Sequence, residues 1–332
     1  MVDLTTSYMG LSLKNPIIVS SSDLTRDLEG VKKCAEAGAG AVVLKSIFEE
    51  QFILESDIPL EDYTAYPEAL DYMRSGGLLE YAPRRMVEMI RQAKQEVEIP
   101  IIASINCQTT KLWTRFARQL QDAGADALEL NLYTLPLNPD VSSAEIEEGH
   151  IEVLKKVKQG ISIPVSMKMT SEFTSLAYLS KRLADHGCDA IVFFNWFLEP
   201  DIDIKSLKTK NRIGKGNFYQ VLKWIALISG RVDCPLAASG GIEQGLDVVK
   251  QILAGASAAQ VCTLFYKKGL GEIRNLLREI EAWMEERGYS GLDEFRGELS
   301  FKQQELIKRD LGEAGSYMRS QYLKTISHLN GD

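Results

Sequence analysis

No two of the five cysteines, Cys34, Cys107, Cys188, Cys234 and Cys262, stand in a CxxC spacing, and their number is odd. A disulfide framework, a zinc site or an iron–sulfur cluster would need cysteines paired or bunched, so none is expected, and a reducing cytoplasm fits. An excess of positive charge is missing too: 38 Lys and Arg stand against 46 Asp and Glu, a net −8. Nucleic-acid phosphates and anionic lipid both reward a broad basic face, so neither is an expected partner. Residues 1–13 carry acidic and polar side chains where a secretory leader needs basic residues and then an apolar run. Nowhere does an apolar stretch approach the length of a membrane span. What is present is an ordinary globular composition, 45% hydrophobic and 25% charged, able to bury a sizeable core.

Two interleaved sets of segments organise the 332 residues. The first reads EAGAGAVVLKS at 36–46, DAGADALELNL at 122–132, DHGCDAIVFFN at 185–195 and LAGASAAQVCT at 253–263. Gly38, Gly124, Gly187 and Gly255 stand where a helix would end, and an apolar run of strand length follows each. The second set places a proline at the entrance of another apolar run: NPIIVSSS at 15–22, IPIIASIN at 99–106, IPVSMKMT at 163–170 and CPLAASGG at 234–241. Proline suits a strand's first residue, where no ladder hydrogen bond is yet required. Amphipathic runs at 83–97, 113–123, 145–157 and 273–287 fill several gaps. Eight strands, apolar along most of their length and separated by helices, imply a parallel sheet covered outside, and the strict alternation favours closure into a (β/α)8 TIM barrel over an open doubly wound sheet. The barrel is expected to occupy 1–297. A helical tail, 298–332, is expected to cover a barrel end or meet another subunit.

Chemistry in such a barrel sits where the strands end at their C-terminal side, and here those ends are polar. They carry Ser20, Ser21 and Ser22; Lys45 and Ser46; Ser104 and Asn106; Glu129 and Asn131; Lys168 and Thr170; Asn195; Ser239, Gly240 and Gly241; and Thr263. Glycines that let backbone N–H groups approach, with a hydroxyl nearby, make a phosphate cradle, so SGGI at 239–242 together with Thr263 points to a phosphorylated ligand after strands seven and eight. Lys45 and Lys168 each end an apolar strand, and a cation held there needs an anionic or electron-rich partner.

Taken in order and spacing, NPIIVSSS, AVVLKS, IASIN, ALELNL, SMKM, FFN, SGGIEQGLDVVKQILAGA and QVCT resemble the cytosolic dihydroorotate dehydrogenases, and the likeness runs from about residue 15 to 297. The resemblance implies an FMN-bearing barrel that oxidises dihydroorotate, or a related dihydropyrimidine, by hydride transfer to flavin N5 while a base removes the neighbouring proton. It assigns Ser21, Lys45, Ser46, Asn131, Lys168 and Gly216 to the flavin ring, and Gly240, Gly241 and Thr263 to its phosphate. Asn131 and Asn195 are assigned to the substrate, and Asn138 joins them if a two-residue insertion lets it take the place that Pro136 otherwise occupies. It also implies a homodimer, an electron-transfer partner left open, and no docking to membrane quinone. Departures fall on the substrate side. Where the family carries a cysteine or serine base, NLYTLPLN at 131–138 places Thr134, which with Lys45 forms the expected catalytic pair. A substrate asparagine expected after strand two is absent from MRSGGLLEY at 73–81, Trp196 follows Asn195 where a small hydroxyl residue is usual, and Cys262 replaces a phosphate-side glycine.

Three other readings stay open at this point. Lys45 or Lys168 would form a Schiff base in a phosphate-binding barrel aldolase. The run Lys205, Lys208, Lys210, Arg212 and Lys215 supplies the basic charge that a dihydrouridine synthase would need. A non-catalytic flavoprotein is the third, suggested by Thr134 and the tail.

Overall fold

In the computed structural model the described residues are 2–48, 83–106, 110–131, 138–195, 198–213 and 217–303. Each of the eight apolar runs forms a strand. They are β3 (Ile17–Val19), β4 (Ala41–Val43), β6 (Ile101–Asn106), β7 (Ala127–Asn131), β8 (Val165–Met169), β9 (Ala190–Phe193), β12 (Leu236–Ser239) and β13 (Ala258–Val261). Each pairs in parallel with its sequential neighbour, β13 pairs with β3, and β4 pairs with both β3 and β6. The sheet therefore has no edge: it is a closed (β/α)8 barrel, not an open sheet.

Helices lie between and around the strands: α1 (Leu28–Glu36), α2 (Pro83–Glu96), α3 (Thr110–Asp122), α4 (Ser143–Gly160), α5 (Leu176–Asp185), α6 (Phe218–Ile228), α7 (Gly245–Ala254), α8 (Thr263–Lys268) and α9 (Glu272–Arg287). Side chains cap the starts of α1, α4 and α6. Asp27 accepts the Gly30 N–H at 2.9 Å, and Ser142 with Glu145 forms a reciprocal capping box. The four repeat glycines all take positive φ, 102° at Gly38, 101° at Gly124, 86° at Gly187 and 118° at Gly255, as helix-ending residues do. At Gly255 space is short as well, since a Cβ there would lie 1.9 Å from Ser229 Oγ.

Side-chain alternation divides the barrel. Outward residues such as Ile17, Val19, Val42, Leu128 and Ile191 join the main core beneath the helices. Inward residues, Ile18, Ala41, Val43, Ile102, Ala127, Ala190, Val192, Ala237 and Ala258, form a separate inner core with Tyr8, Met9 and Leu13. These last three come from a hairpin of β1 (Thr6–Tyr8) and β2 (Leu11–Leu13), which plugs the barrel floor. Its two-residue turn has positive φ at both Met9 (55°) and Gly10 (72°). Sequence inspection misses it because such turns are usually written with Asn or Asp before Gly, whereas a methionine gives no turn signal. A second unforeseen hairpin, β10 (Leu198–Asp203) and β11 (Lys208–Ile213), follows the sixth barrel strand and carries Lys205, Lys208, Lys210 and Arg212 of the basic run. Strand β5 (Ile47–Phe48) extends the pairing beside β6.

Past α9 the chain packs back on the barrel floor. Phe295 is fully buried against Trp283 and Tyr289, Arg296 reaches the Ala256 carbonyl and Thr6 Oγ1, and Leu299 N–H bonds to Leu253. Most of the tail, 304–332, lies outside the described residues. Among those described, no helix is long and apolar enough to cross a membrane.

One buried ionisable group on α4 makes stability depend on pH. His150 is 4% exposed, both ring nitrogens lack hydrogen-bond partners, and the ring meets Phe173 edge-on at 5.3 Å. Burial alone pushes it down from 6.5 to about 4. The unfolded chain thus takes up this proton at a higher pH than the folded one, so its effect is absent above about pH 6.5 and grows as the pH falls toward 4. The full loss is about 3 kcal/mol. Urea unfolding from pH 7.5 to 4.5 is expected to show this slope, flattened in His150→Leu; equal slopes in the two proteins would remove His150 as the cause.

Candidate active site

At the C-terminal end of the barrel the inward positions change from apolar to polar, and their side chains bond to one another around the ring. Ser21, just past β3, shares its hydroxyl with Ser46 at 3.0 Å and accepts the Ser46 N–H at 2.9 Å; Ser46 in turn meets Ser104 of β6 at 2.7 Å. The Asn195 side chain, after β9, donates through Nδ2 to Oδ1 of Asn131 in β7 at 2.6 Å. Asn131 lies opposite Lys168 in the β7–β8 register. After β12, Gly240 and Gly241 take φ of 121° and 73°, a pair of left-handed turns that side chains other than glycine rarely adopt. Thr263 opens α8 and is exposed beside the last strand.

The deepest polar group is an ion pair held by an amide. Lys168 Nζ donates to Ser20 Oγ at 3.1 Å and to Gln260 Oε1 at 2.9 Å, while Gln260 Nε2 donates to Glu129 Oε2 at 2.5 Å. Glu129 Oε1 is 3.7 Å from the ammonium and makes no hydrogen bond. Lysine and glutamate side chains are 5% and 1% exposed. Below them lies the Tyr8 hydroxyl, beside Ser166 but outside hydrogen-bonding geometry. Burial, reinforced by the negative charge of Glu129, pushes Tyr8 well above its ordinary range, so it stays protonated.

The structure thus brings together Ser21, Ser46, Asn131, Lys168 and Asn195, and sets Gly240, Gly241 and Thr263 at the same mouth. Lys45 also reaches that mouth, but its ammonium is taken by Asp23, whose N–H bonds to the Tyr266 hydroxyl at 2.8 Å. Asn138 stands apart, exposed, with its side chain accepting the Asp140 N–H at 3.0 Å in a turn that leads into α4. Thr134, Gly216, Trp196, Lys215 and the 73–81 segment lie outside the described residues. Cys262 is half-buried, and burial pushes its thiol up against the opposing pull of Ser22 and Lys168, which leaves little thiolate for nucleophilic work at neutral pH.

Sequence reasoning missed Asp23 and Gln260, and it left Glu129 unpaired. Gln260 carried a signal: it lies two residues past Ala258 on one strand and so shares its inward face. A polar residue at an inward position is a candidate partner for any buried charge. Asp23 gave none, because it lies on a short loop turn between Ser22 and Leu24 whose direction the strands do not determine.

The Schiff-base reading fares poorly against this geometry. A Schiff-base lysine needs a free amine lone pair, whereas the Lys168 nitrogen donates to two oxygens and faces a carboxylate.

Comparison with known proteins points one way. A family model described as dihydroorotate dehydrogenase matches residues 3–284. The catalytic subunit of dihydroorotate dehydrogenase B (NAD(+)) from Thermoplasma volcanium is 28% identical over 309 residues, covering 90% of this chain and 98% of that protein. Dihydroorotate dehydrogenase A (fumarate) from Lactobacillus helveticus is 24% identical over 312 residues, with 91% and 100% covered. The chloroplastic dihydropyrimidine dehydrogenase (NADP(+)) of Arabidopsis thaliana is 24% identical over 325 residues, covering 89% of this chain and 76% of that protein.

The serine chain also carries a stability expectation. Ser104 is fully buried and bonds to Ser46. In Ser46→Ala that hydroxyl is stranded in the dry interior, which costs about 1–3 kcal/mol. A matching fall in the urea midpoint is expected, and an unchanged midpoint would count against the chain as drawn.

Proposed function

Since the chain belongs to the dihydroorotate dehydrogenase family, we propose that it is an FMN-dependent oxidoreductase that oxidises the CH–CH bond of a dihydropyrimidine, dihydroorotate foremost, in a cytoplasmic pyrimidine pathway. The observation that carries this reading is the convergence of Ser21, Ser46, Asn131, Lys168 and Asn195 with the Gly240–Gly241 turns at one barrel mouth.

The residues present suit such a cofactor. Two successive left-handed glycines free backbone N–H groups for a phosphate, with the Thr263 hydroxyl adjacent. Lys168 spends two of its three N–H bonds on Ser20 and Gln260, and the third is free for an electron-rich ring edge. FMN, when bound, supplies a hydride acceptor at N5. In this reading Ser21, Lys45, Ser46, Asn131, Lys168 and Gly216 bear on the ring, and Asn131 and Asn195 orient the substrate amide groups, while Asn138, turned to Asp140 outside the mouth, takes no part. Thr134 takes the proton that leaves beside the hydride, passing it to solvent as a serine would. Lys45 must exchange its Asp23 partner, or share it, to act on the substrate.

A homodimer belongs to the same proposal. The hairpin of β10 and β11 exposes Ile202, Ile204 and Leu207 at 65%, 82% and 85%, apolar surface that a second subunit would cover. Those three residues stand next to lysines and acids, which suits a contact rim better than a nucleic-acid face.

The test is anaerobic. Purified protein is expected to be yellow and to bleach on addition of dihydroorotate, and Thr134→Ala is expected to slow that bleaching by about a hundredfold or more. Flavin that no dihydropyrimidine reduces would end the dehydrogenase reading, and an equally fast alanine variant would end the role of Thr134.

A further inference from the structure

The pairing of Lys168 with Glu129 is indirect in a way that matters for whatever binds above it. Gln260 stands between the two charges with its carbonyl turned to the ammonium and its NH2 turned to the carboxylate, so each end of the amide is oriented by a charge. The closest direct approach, 3.7 Å, leaves Glu129 Oε1 without a hydrogen bond, and the Lys168 ammonium donates to Ser20 and Gln260, keeping one N–H unspent. Both side chains are almost wholly out of water, so the carboxylate's field reaches the mouth with little screening. A ligand there meets a dipole, positive end nearest, and not a lone cation.

We propose that Glu129 is a positioning residue that acts through Gln260 and Lys168: by compensating the buried ammonium it sets how far the barrel favours negative charge on a bound flavin, and hence the flavin's reduction potential. The inference rests on the FMN reading given above. Reduction of the ring by two electrons with uptake of one proton leaves one net negative charge. The nearby ammonium stabilises that charge, and the carboxylate behind it opposes it. Gln260 keeps the two charges in register without letting them collapse into contact. Tyr8, protonated and apolar-walled, shuts the pair off from the barrel floor.

The experiment is a potentiometric titration of FMN-loaded protein with dithionite against a reference dye under argon, on four proteins. Glu129→Gln uncovers the ammonium and is expected to raise the midpoint above wild type. Lys168→Gln leaves the carboxylate uncompensated and is expected to lower it. The double variant is expected to return near wild type. Each single change should alter the reduced-to-oxidised equilibrium about tenfold or more, which is about 30 mV for a two-electron couple. Loss of packing alone would not move the two single variants in opposite directions. Should Glu129→Gln fail to fold, the gap between Lys168→Gln and the double variant reads the field of the Glu129 carboxylate at the flavin directly, because the two differ by that charge alone. The inference is overturned if Glu129→Gln keeps the wild-type midpoint, or if Lys168→Gln and the double variant coincide. Wild-type protein that takes up no flavin overturns the proposed function and this inference with it; a flavin-loaded protein whose midpoint ignores Glu129 overturns this inference alone.

Discussion

An ammonium ion sealed inside a barrel of alanine, valine and isoleucine side chains is the constraint around which this molecule is arranged. Left without a partner, Lys168 would lose its hydration for nothing, a cost large enough to displace or neutralise the side chain. The barrel answers with three groups from three strands: Ser20 beyond β3, Glu129 in β7 and Gln260 in β13. Those strands are far apart in sequence and meet only because the sheet closes. Closure and the buried charge are therefore mutually dependent. The ring brings the partners together, and their bonds tie opposite sides of the ring.

The same alternation that buries Lys168 grades the interior from dry to polar. Low in the barrel, small inward residues such as Ala127, Ala190, Ala237 and Ala258 leave room for the Tyr8–Met9 plug. One or two inward positions further along, the strands carry Ser104, Glu129, Asn131, Lys168 and Gln260. A buried polar group is costly unless it is bonded, and in the serine chain and the asparagine pair neighbours across strands supply the bond. A rim built in this way is preorganised. Its donors and acceptors are held by one another, so they need little rearrangement when a polar ring arrives.

Charge at the mouth is distributed with equal care. Of the two strand-end lysines, one is compensated below the rim by Glu129 and the other at the rim by Asp23. The exposed pair is worth little to stability, because water screens it. Its consequence is local: the rim cation is already engaged and would have to leave or share Asp23 to meet another anion. Cys262, just past β13, is half-buried, and burial keeps it from offering a reactive thiolate.

How much of this was legible without coordinates depends on the range of the forces involved. The amino-acid order by itself determined the eight strands, the helix-ending glycines and the polar character of the strand ends, because side-chain alternation, capping and glycine's left-handed freedom act within a few residues and leave a local pattern. It also carried the family likeness and with it the positions of Ser21, Lys45, Asn131, Lys168 and Gly241. Hidden from it were the hairpin plug, whose Met9–Gly10 turn lacks the usual residues, the capture of Lys45 by Asp23, and the placement of Gln260 between Lys168 and Glu129. Only the tertiary structure decided those, since the partners are 22 to 131 residues apart along the chain and their choice depends on barrel register and on which atoms are denied water.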